Sequence, residues 1–429
     1  MAICTQPVRR LSLDRPAASR RLAEVYADQE QAKRRIRLAA QGLHRHFGEG
    51  PFRLFRAPGR AELGGNHTDH NRGLGLAASV GADILAAARP TDEPVIRLHS
   101  QGYYTDVIEL ADLSPREGER NHSASLIRGI AAGFRRRGLP VGGMDVYTVS
   151  EVPRGAGVSS SAAFEVLVAG VLNGLYNAGG ADPLTIAQIA QEAENRYFGK
   201  PCGILDQAAC SLGGCMALDF ESPASPRIVR LPARFAEWGL RLCAVDTGGS
   251  HSDLTEEFAA CRAEMEEVAR LLGGRALRDV PQERFERALP VLRKEAGDRA
   301  VLRALHFYEE NRRVELQCRA LERGDAASFL RLVTASGRSS QNLLQNVTLT
   351  QTPREQGIAL ALALSERFLG ETGAWRVQGS GFAGTIQAYV PAGRVPAYQE
   401  QMEAVFGPSC FHELSVGETG GAELAADGE

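Results

Sequence analysis

Lysine is almost missing from this chain. Lys33, Lys200 and Lys294 are the only lysines among 49 basic residues, so phosphate would have to be held by arginine, backbone N–H groups or a metal ion. No Gly-Lys-Ser or Gly-Lys-Thr step occurs, which excludes the common lysine-bearing phosphate loop. No apolar run approaches the ~18 residues of a membrane-spanning helix. The best candidate, Leu74 to Ala88, is short and contains Asp83. The eight cysteines (Cys4, Cys202, Cys210, Cys215, Cys243, Cys261, Cys318 and Cys410) form no Cys-x-x-Cys pair. They read as small buried thiols in a reducing cytoplasm. A net charge of -3 supplies no field to draw nucleic acid or anionic membrane, and neither is expected as a partner. Internal repeats and low-complexity tracts are absent. The early arginines at 9, 10, 15, 20 and 21 precede no apolar stretch, so the N-terminus reads as a solvated arm rather than a signal peptide.

What is present suits a folded body. Hydrophobic residues make up 44% and charged residues 24% of 429, near the globular average of about 45–50% and about 25%. That length predicts two domains or one large two-layer body. Strands are expected at Phe52 to Ala57 (stopped by Pro58-Gly59), Leu74 to Ala88, Val95 to Ser100, Met144 to Ser150 and Arg241 to Asp246. Helical spacing marks Leu22 to Phe47, Leu126 to Arg137, Ser160 to Asn177, Leu184 to Tyr197, Glu256 to Leu272, Arg299 to Arg323 and Ala326 to Ser336. Strands and helices mix without a regular βαβ beat, which favours an α+β fold. The Pro/Ser cluster Ser222 to Pro226 suggests a junction or a hairpin tip. Taken as a junction it gives an N-terminal domain 1–222 and a C-terminal domain 223–429. The last dozen residues are expected to fray.

Four stretches carry chemistry. Val152-Pro-Arg-Gly-Ala-Gly-Val-Ser-Ser-Ser-Ala162 follows a strand and opens an apolar helix. Gly155 and Gly157 allow close backbone approach, and Ser159, Ser160 and Ser161 sit where a helix offers unpaired N–H donors and partial positive charge. Together they suit a phosphate; the plain alternative is a serine cap after a glycine turn. Ala57-Pro-Gly-Arg-Ala-Glu-Leu-Gly-Gly-Asn-His-Thr-Asp-His-Asn-Arg-Gly73 crowds donors and acceptors between apolar flanks, as a hydroxyl-rich ligand would need. His67, Asp69 and His70 also echo half of a metallohydrolase signature, but its first histidine would fall at Gly65. Asp206, in the turn Gly199-Lys-Pro-Cys-Gly-Ile-Leu-Asp-Gln207, needs a partner, and Arg60 is the candidate. Gln378-Gly-Ser-Gly-Phe-Ala-Gly384 is a second glycine-rich loop.

In this order the four stretches resemble the motifs of the GHMP small-molecule kinases, within them the galactokinase group, from about Phe52 to Val390. The resemblance implies a two-domain α+β fold with the site between domains. It implies transfer of the ATP γ-phosphoryl group, with Mg2+, to the anomeric hydroxyl of galactose. It makes Arg60 and Asp206 the catalytic pair. Asn66, His67, Asp69 and Gly203 become sugar contacts, Gly155 to Ser161 wrap the ATP phosphates, and Ser161 and Glu194 become magnesium ligands. A monomer or weak homodimer is expected. The chain departs from the family pattern at Asn66 (usually Glu), at His70 (usually Tyr) and at Phe258, which stands where a sugar-contacting Tyr is usual. It also lacks the aromatic near the adenine, around His122 to Arg128. These departures bear on the sugar, leaving open a related sugar such as a uronic acid or N-acetylhexosamine, or a non-catalytic sugar sensor.

Overall fold

The small-residue run that begins at Leu74 becomes one 18-residue strand in the computed structural model, which describes residues 22–153, 157–249 and 254–425. This strand, β2 (Leu74–Thr91), follows β1 (Arg53–Gly64) and pairs with it along most of its length. Its two halves take different second neighbours: β5 (Gly143–Ser150) from Ile84 to Thr91, and β6 (Cys215–Asp219) from Leu74 to Ala78. The sheet is completed by β3 (Val95–Ser100), β4 (Thr105–Glu109), β7 (Arg227–Leu231) and β12 (Ala422–Ala425). Alanine on successive positions lets helices close on both faces. Leu85 and Ala87 pack under α1 (Gln29–Phe47). Ala86 and Ala88 face α2 (Ser123–Arg136), α3 (Ser160–Asn177) and α4 (Pro183–Ala193), while Ala77 meets α5 (Leu205–Leu212).

A second sheet runs in the order β11 (Phe411–Leu414), β8 (Leu240–Asp246), β10 (Thr385–Pro391), β9 (Ala374–Val377). Helices α6 (Thr255–Leu271), α7 (Gln282–Arg287), α8 (Leu289–Glu295), α9 (Asp298–Arg323) and α10 (Ala326–Ser339) lead up to α11 (Gly357–Leu369) and α12 (Val395–Phe406). The α9–α10 pair joins the sheets: Val314, Leu321 and Phe329 share one core with strand residues Leu76 and Tyr389. The architecture is α+β, as expected. Among the described residues no helix is long and apolar enough to cross a membrane.

Three local expectations change. The Pro/Ser cluster at 222–226 is the tip of the β6–β7 hairpin, so 222/223 divides a paired hairpin rather than the two sheets. Part of the expected frayed tail is a strand, because residues 422–425 find the open edge of β1. Finally, β1 does not stop at Pro58-Gly59. It continues with a register shift between Pro58, opposite Asp83, and Arg60, opposite Ser79. Proline has no N–H to give the ladder, and a bulge absorbs it.

Candidate active site

That bulge aims the first site residue. Arg60 N donates to Val158 O (3.0 Å) on the far side of the glycine-serine loop. Its side chain then reaches the start of α5 and grips Asp206 at two points, Nε to Oδ1 (2.6 Å) and Nη2 to Oδ2 (2.7 Å). Arg60 is 4% exposed and its Nη1 donates to Gly157 O (2.5 Å). Asp206 keeps a third of its side chain open to solvent. Burial raises its carboxyl, but the Arg60 charge and hydrogen bonds, with one from Ser159, outweigh it and hold Asp206 below the ordinary range. The expected partnership of Arg60 and Asp206 is therefore present.

Ser159 begins α3 with φ of +56° and makes no side-chain cap; its hydroxyl donates to Asp206 Oδ2 instead (2.5 Å). The first N–H groups of an 18-residue helix are left without that cap, beside Gly157 and the half-buried Ser161. Gly157 has φ of +63°, and a Cβ there would come within 2.9 Å of Gln378 and Thr385. Glycine is thus required where the phosphate loop meets the second glycine-rich loop. Gly155 lies outside the described residues.

The loop after β1 is fixed from several sides. Asn66 is wholly buried, and both ends of its amide are engaged. Nδ2 donates to Glu62 Oε1 (2.9 Å) and Gly379 O (2.7 Å). Oδ1 accepts from Asn346 Nδ2 (2.8 Å) and Ser340 Oγ (3.2 Å). His306 Nε2 meets Asn66 O (2.9 Å), and Glu310 Oε1 accepts from Gly65 N (3.0 Å). Asn66, expected to face the sugar, thus has its amide committed to joining β1 to the second half of the chain. Behind it Glu62 pairs with Arg376 (2.6 Å), and burial still lifts its carboxyl to about 7.

His67 is similarly committed. Its Nε2 lies 2.9 Å from Ser380 O, which can only accept, so Nε2 carries the hydrogen and Nδ1 receives one from His70 Nε2 (3.4 Å). His70 Nδ1 in turn accepts from Asn71 Nδ2 (3.0 Å). Both rings are neutral in this chain. Burial agrees, moving His67 down to about 4 and His70 well below its usual range. Asp69 is the loop's half-buried acid. It accepts from His70 N (2.9 Å) and Leu205 N (3.4 Å) and lies against Gly203, where a Cβ would fall 1.6 Å from Oδ2. Burial and the nearby Asp206 charge raise it to about 6. Among the described residues no group of three or more His, Cys, Asp or Glu side chains, His67, Asp69 and His70 included, is arranged to hold a metal.

Glu194 ends α4 at a widened, π-helical turn (Glu194–Phe198) and is 3% exposed. Lys200 Nζ reaches Oε1 (3.3 Å), and Gln207 Nε2 donates to Oε2 (2.7 Å) and to Glu165 Oε2 (3.1 Å). Glu165 lies one turn beyond Ser161 on α3, so both magnesium ligands that the resemblance implies border one buried acidic cluster. Glu165, His306 and Arg376 escaped the sequence reading, and Glu62, Lys200 and Gln207 stood within its motifs without a role of their own. Glu165 carried a signal, a lone charge inside the apolar run Ala162 to Gly170. Arg376 lay too far along the chain from Glu62 for spacing to connect them.

The chain is similar to known proteins over most of its length. Residues 43–90 match the model described as the galactokinase galactose-binding signature, and residues 125–214 match the GHMP kinases N terminal domain. A galactokinase of Streptomyces coelicolor is 36% identical over 365 residues, 84% of this chain and 90% of that one. Lactococcus lactis galactokinase, solved in complex with galactose, superposes with a TM-score of 0.79 at 23% identity, covering 90% of this chain and 99% of that one. Methanococcus jannaschii mevalonate kinase shares the fold more distantly, with a TM-score of 0.61 at 14% identity over 86% of this chain and 99% of that one. The chain belongs to the galactokinase family of the GHMP kinases, a family of ATP-using sugar kinases.

Proposed function

We propose that the protein transfers the γ-phosphoryl group of ATP to the anomeric hydroxyl of galactose, giving galactose 1-phosphate. One observation carries the site assignment: the two-point Arg60–Asp206 pair stands beside a helix N-terminus whose capping serine has turned to Asp206. The uncapped N–H groups of α3 suit the ATP phosphates. Phosphoryl transfer passes through a loose transition state, so positioning and charge stabilisation dominate. Arg60 holds Asp206 and brings positive charge to the transferring group. Asp206 accepts the sugar proton. Its lowered pKa makes it a weak base at the outset, so the proton moves late, as the attacking oxygen becomes acidic. Asp69 and the backbone at Gly203 face the sugar hydroxyls, while Asn66 and His67 brace the loop that presents them.

The donor set fits magnesium. Glu194 offers a buried carboxylate with one oxygen held by Lys200 and the other by Gln207, and Ser161 offers a hydroxyl at the helix start. Bound there with ATP, magnesium would neutralise charge on the phosphate oxygens. Seven unpaired cysteines among the described residues suit the reducing cytoplasm. The test is ADP release from the purified protein with ATP and Mg2+ across a sugar panel, with 31P NMR to locate the new phosphate. Galactose should turn over best and carry the phosphate at C1. Turnover of another sugar in preference to galactose, or a phosphate elsewhere, would sink the reading.

A further inference from the structure

We propose that Gln207 is a positioning residue that ties the metal-binding carboxylate to the proton acceptor. The inference rests on the reading of Glu194 as a magnesium ligand. Gln207 follows Asp206 directly, on the first turn of α5, and is fully buried. Asp206 faces Arg60 and Ser159, whereas Gln207 faces the acids behind. Its Nε2 has two hydrogens and spends both, on Glu194 Oε2 (2.7 Å) and Glu165 Oε2 (3.1 Å). One amide therefore stands between two buried acids on two different helices. Without it the carboxyl groups would face each other with no shared donor.

The surroundings make this clamp stiff. Glu194 starts the π-helical turn, where an extra residue per turn re-aims the side chain. Asn195 fixes the following loop, accepting from Cys202 N (2.7 Å) and donating to Cys202 O (3.2 Å). Lys200 restrains the second oxygen of Glu194. The carboxylate is thus held at both oxygens, one of them from α5. Ser161 and Glu165, one turn apart on α3, place the other expected ligand on the same cluster. Moving α5 would shift the proton acceptor and the metal ligand together. Neutral donors that orient metal ligands typically matter by about 10–100-fold in metal affinity.

The test is Gln207→Met, which keeps the bulk and removes both donors. Mn2+ binding to the ATP complex is read from loss of the free-ion EPR signal, without any turnover. We expect Mn2+ to bind about 10-fold more weakly or worse, and the Mg2+ level for half-maximal activity to rise in step. Galactose binding measured without nucleotide or metal should stay within about two-fold of wild type. A Gln207→Met, Glu194→Gln double variant should lose no more Mn2+ affinity than Glu194→Gln alone. Mn2+ affinity within about two-fold of wild type in Gln207→Met would overturn the proposal. Should that variant fail to fold, Gln207→Asn decides. Its amide is one carbon short of spanning both acids, and unchanged Mn2+ affinity there overturns the proposal equally. If Glu194→Gln leaves Mn2+ affinity intact, the metal assignment falls and takes the clamp with it. A protein that binds Mn2+ as expected yet phosphorylates no galactose would instead overturn the proposed reaction alone.

Discussion

The hydroxyl of Ser159 donates to Asp206 at 2.5 Å rather than capping the helix that Ser159 begins. A serine at a helix start normally satisfies one of its own N–H groups. Here the hydroxyl, with Arg60, holds the carboxylate charged, and the helix donors stay open for an anion. One side chain thereby links the two halves of the proposed phosphoryl-transfer site.

Removing the charge of Asp206 should stop chemistry before it stops binding. Asp206→Asn keeps the size but loses the proton acceptor and the ion pair. We expect kcat to fall at least ~10²-fold, while the galactose Kd changes far less. Near-normal kcat would reduce Asp206 to a structural cap.

Arg60→Lys separates charge from geometry. Lysine keeps the charge but cannot make two parallel bonds to Asp206 or also reach Gly157 O. We expect kcat/KM to fall by ~10²-fold or more. A loss under about five-fold would mean that point charge alone suffices.

Asp69 is expected to set an acid limit for sugar binding. Its carboxyl is raised to about 6, so it gains a proton as pH falls through that value. Hydrogen bonds from sugar hydroxyls favour the ionised form. The galactose Kd should therefore be flat above pH 7 and rise about ten-fold per pH unit below 6. Asp206, held lower, and His67, down at about 4, stay in one state across most of this range, while Glu62, lifted to about 7, is bonded to Arg376 and Asn66. Asp69→Asn should bind more weakly and lose the pH step, as titration calorimetry from pH 7.5 to 5 would reveal; persistence of the step would place it on another group.

Asn66→Asp is expected to act on stability. The new carboxylate loses the donors to Glu62 and Gly379 O and stands beside the Glu62 acid. A buried unpaired acid should cost about 3 kcal/mol or more. Chemical unfolding would register this as a lower midpoint. An unchanged midpoint with altered sugar selectivity would return Asn66 to the sugar-contacting role.

Local chemistry made much of this molecule legible in the sequence. The helix from Ser160 to Asn177 has the expected ends, because the apolar run and the serine cluster before it are contiguous. The Arg60–Asp206 pair could be named because a polar acid in an apolar turn must find a cation. The strand through Pro58-Gly59 could not be read that way, since its continuation depends on a partner strand that accepts a bulge. Tertiary structure also decided the site's interior. Asn66 has its amide engaged by residues up to 313 positions away, and Gln207 joins Glu165 on one helix to Glu194 on another. Residue type determines which groups can bond, and short spacing determines which can share a turn. Which buried donor meets which acceptor is settled only when the two halves of the chain close, because an unpaired polar group there costs too much to leave.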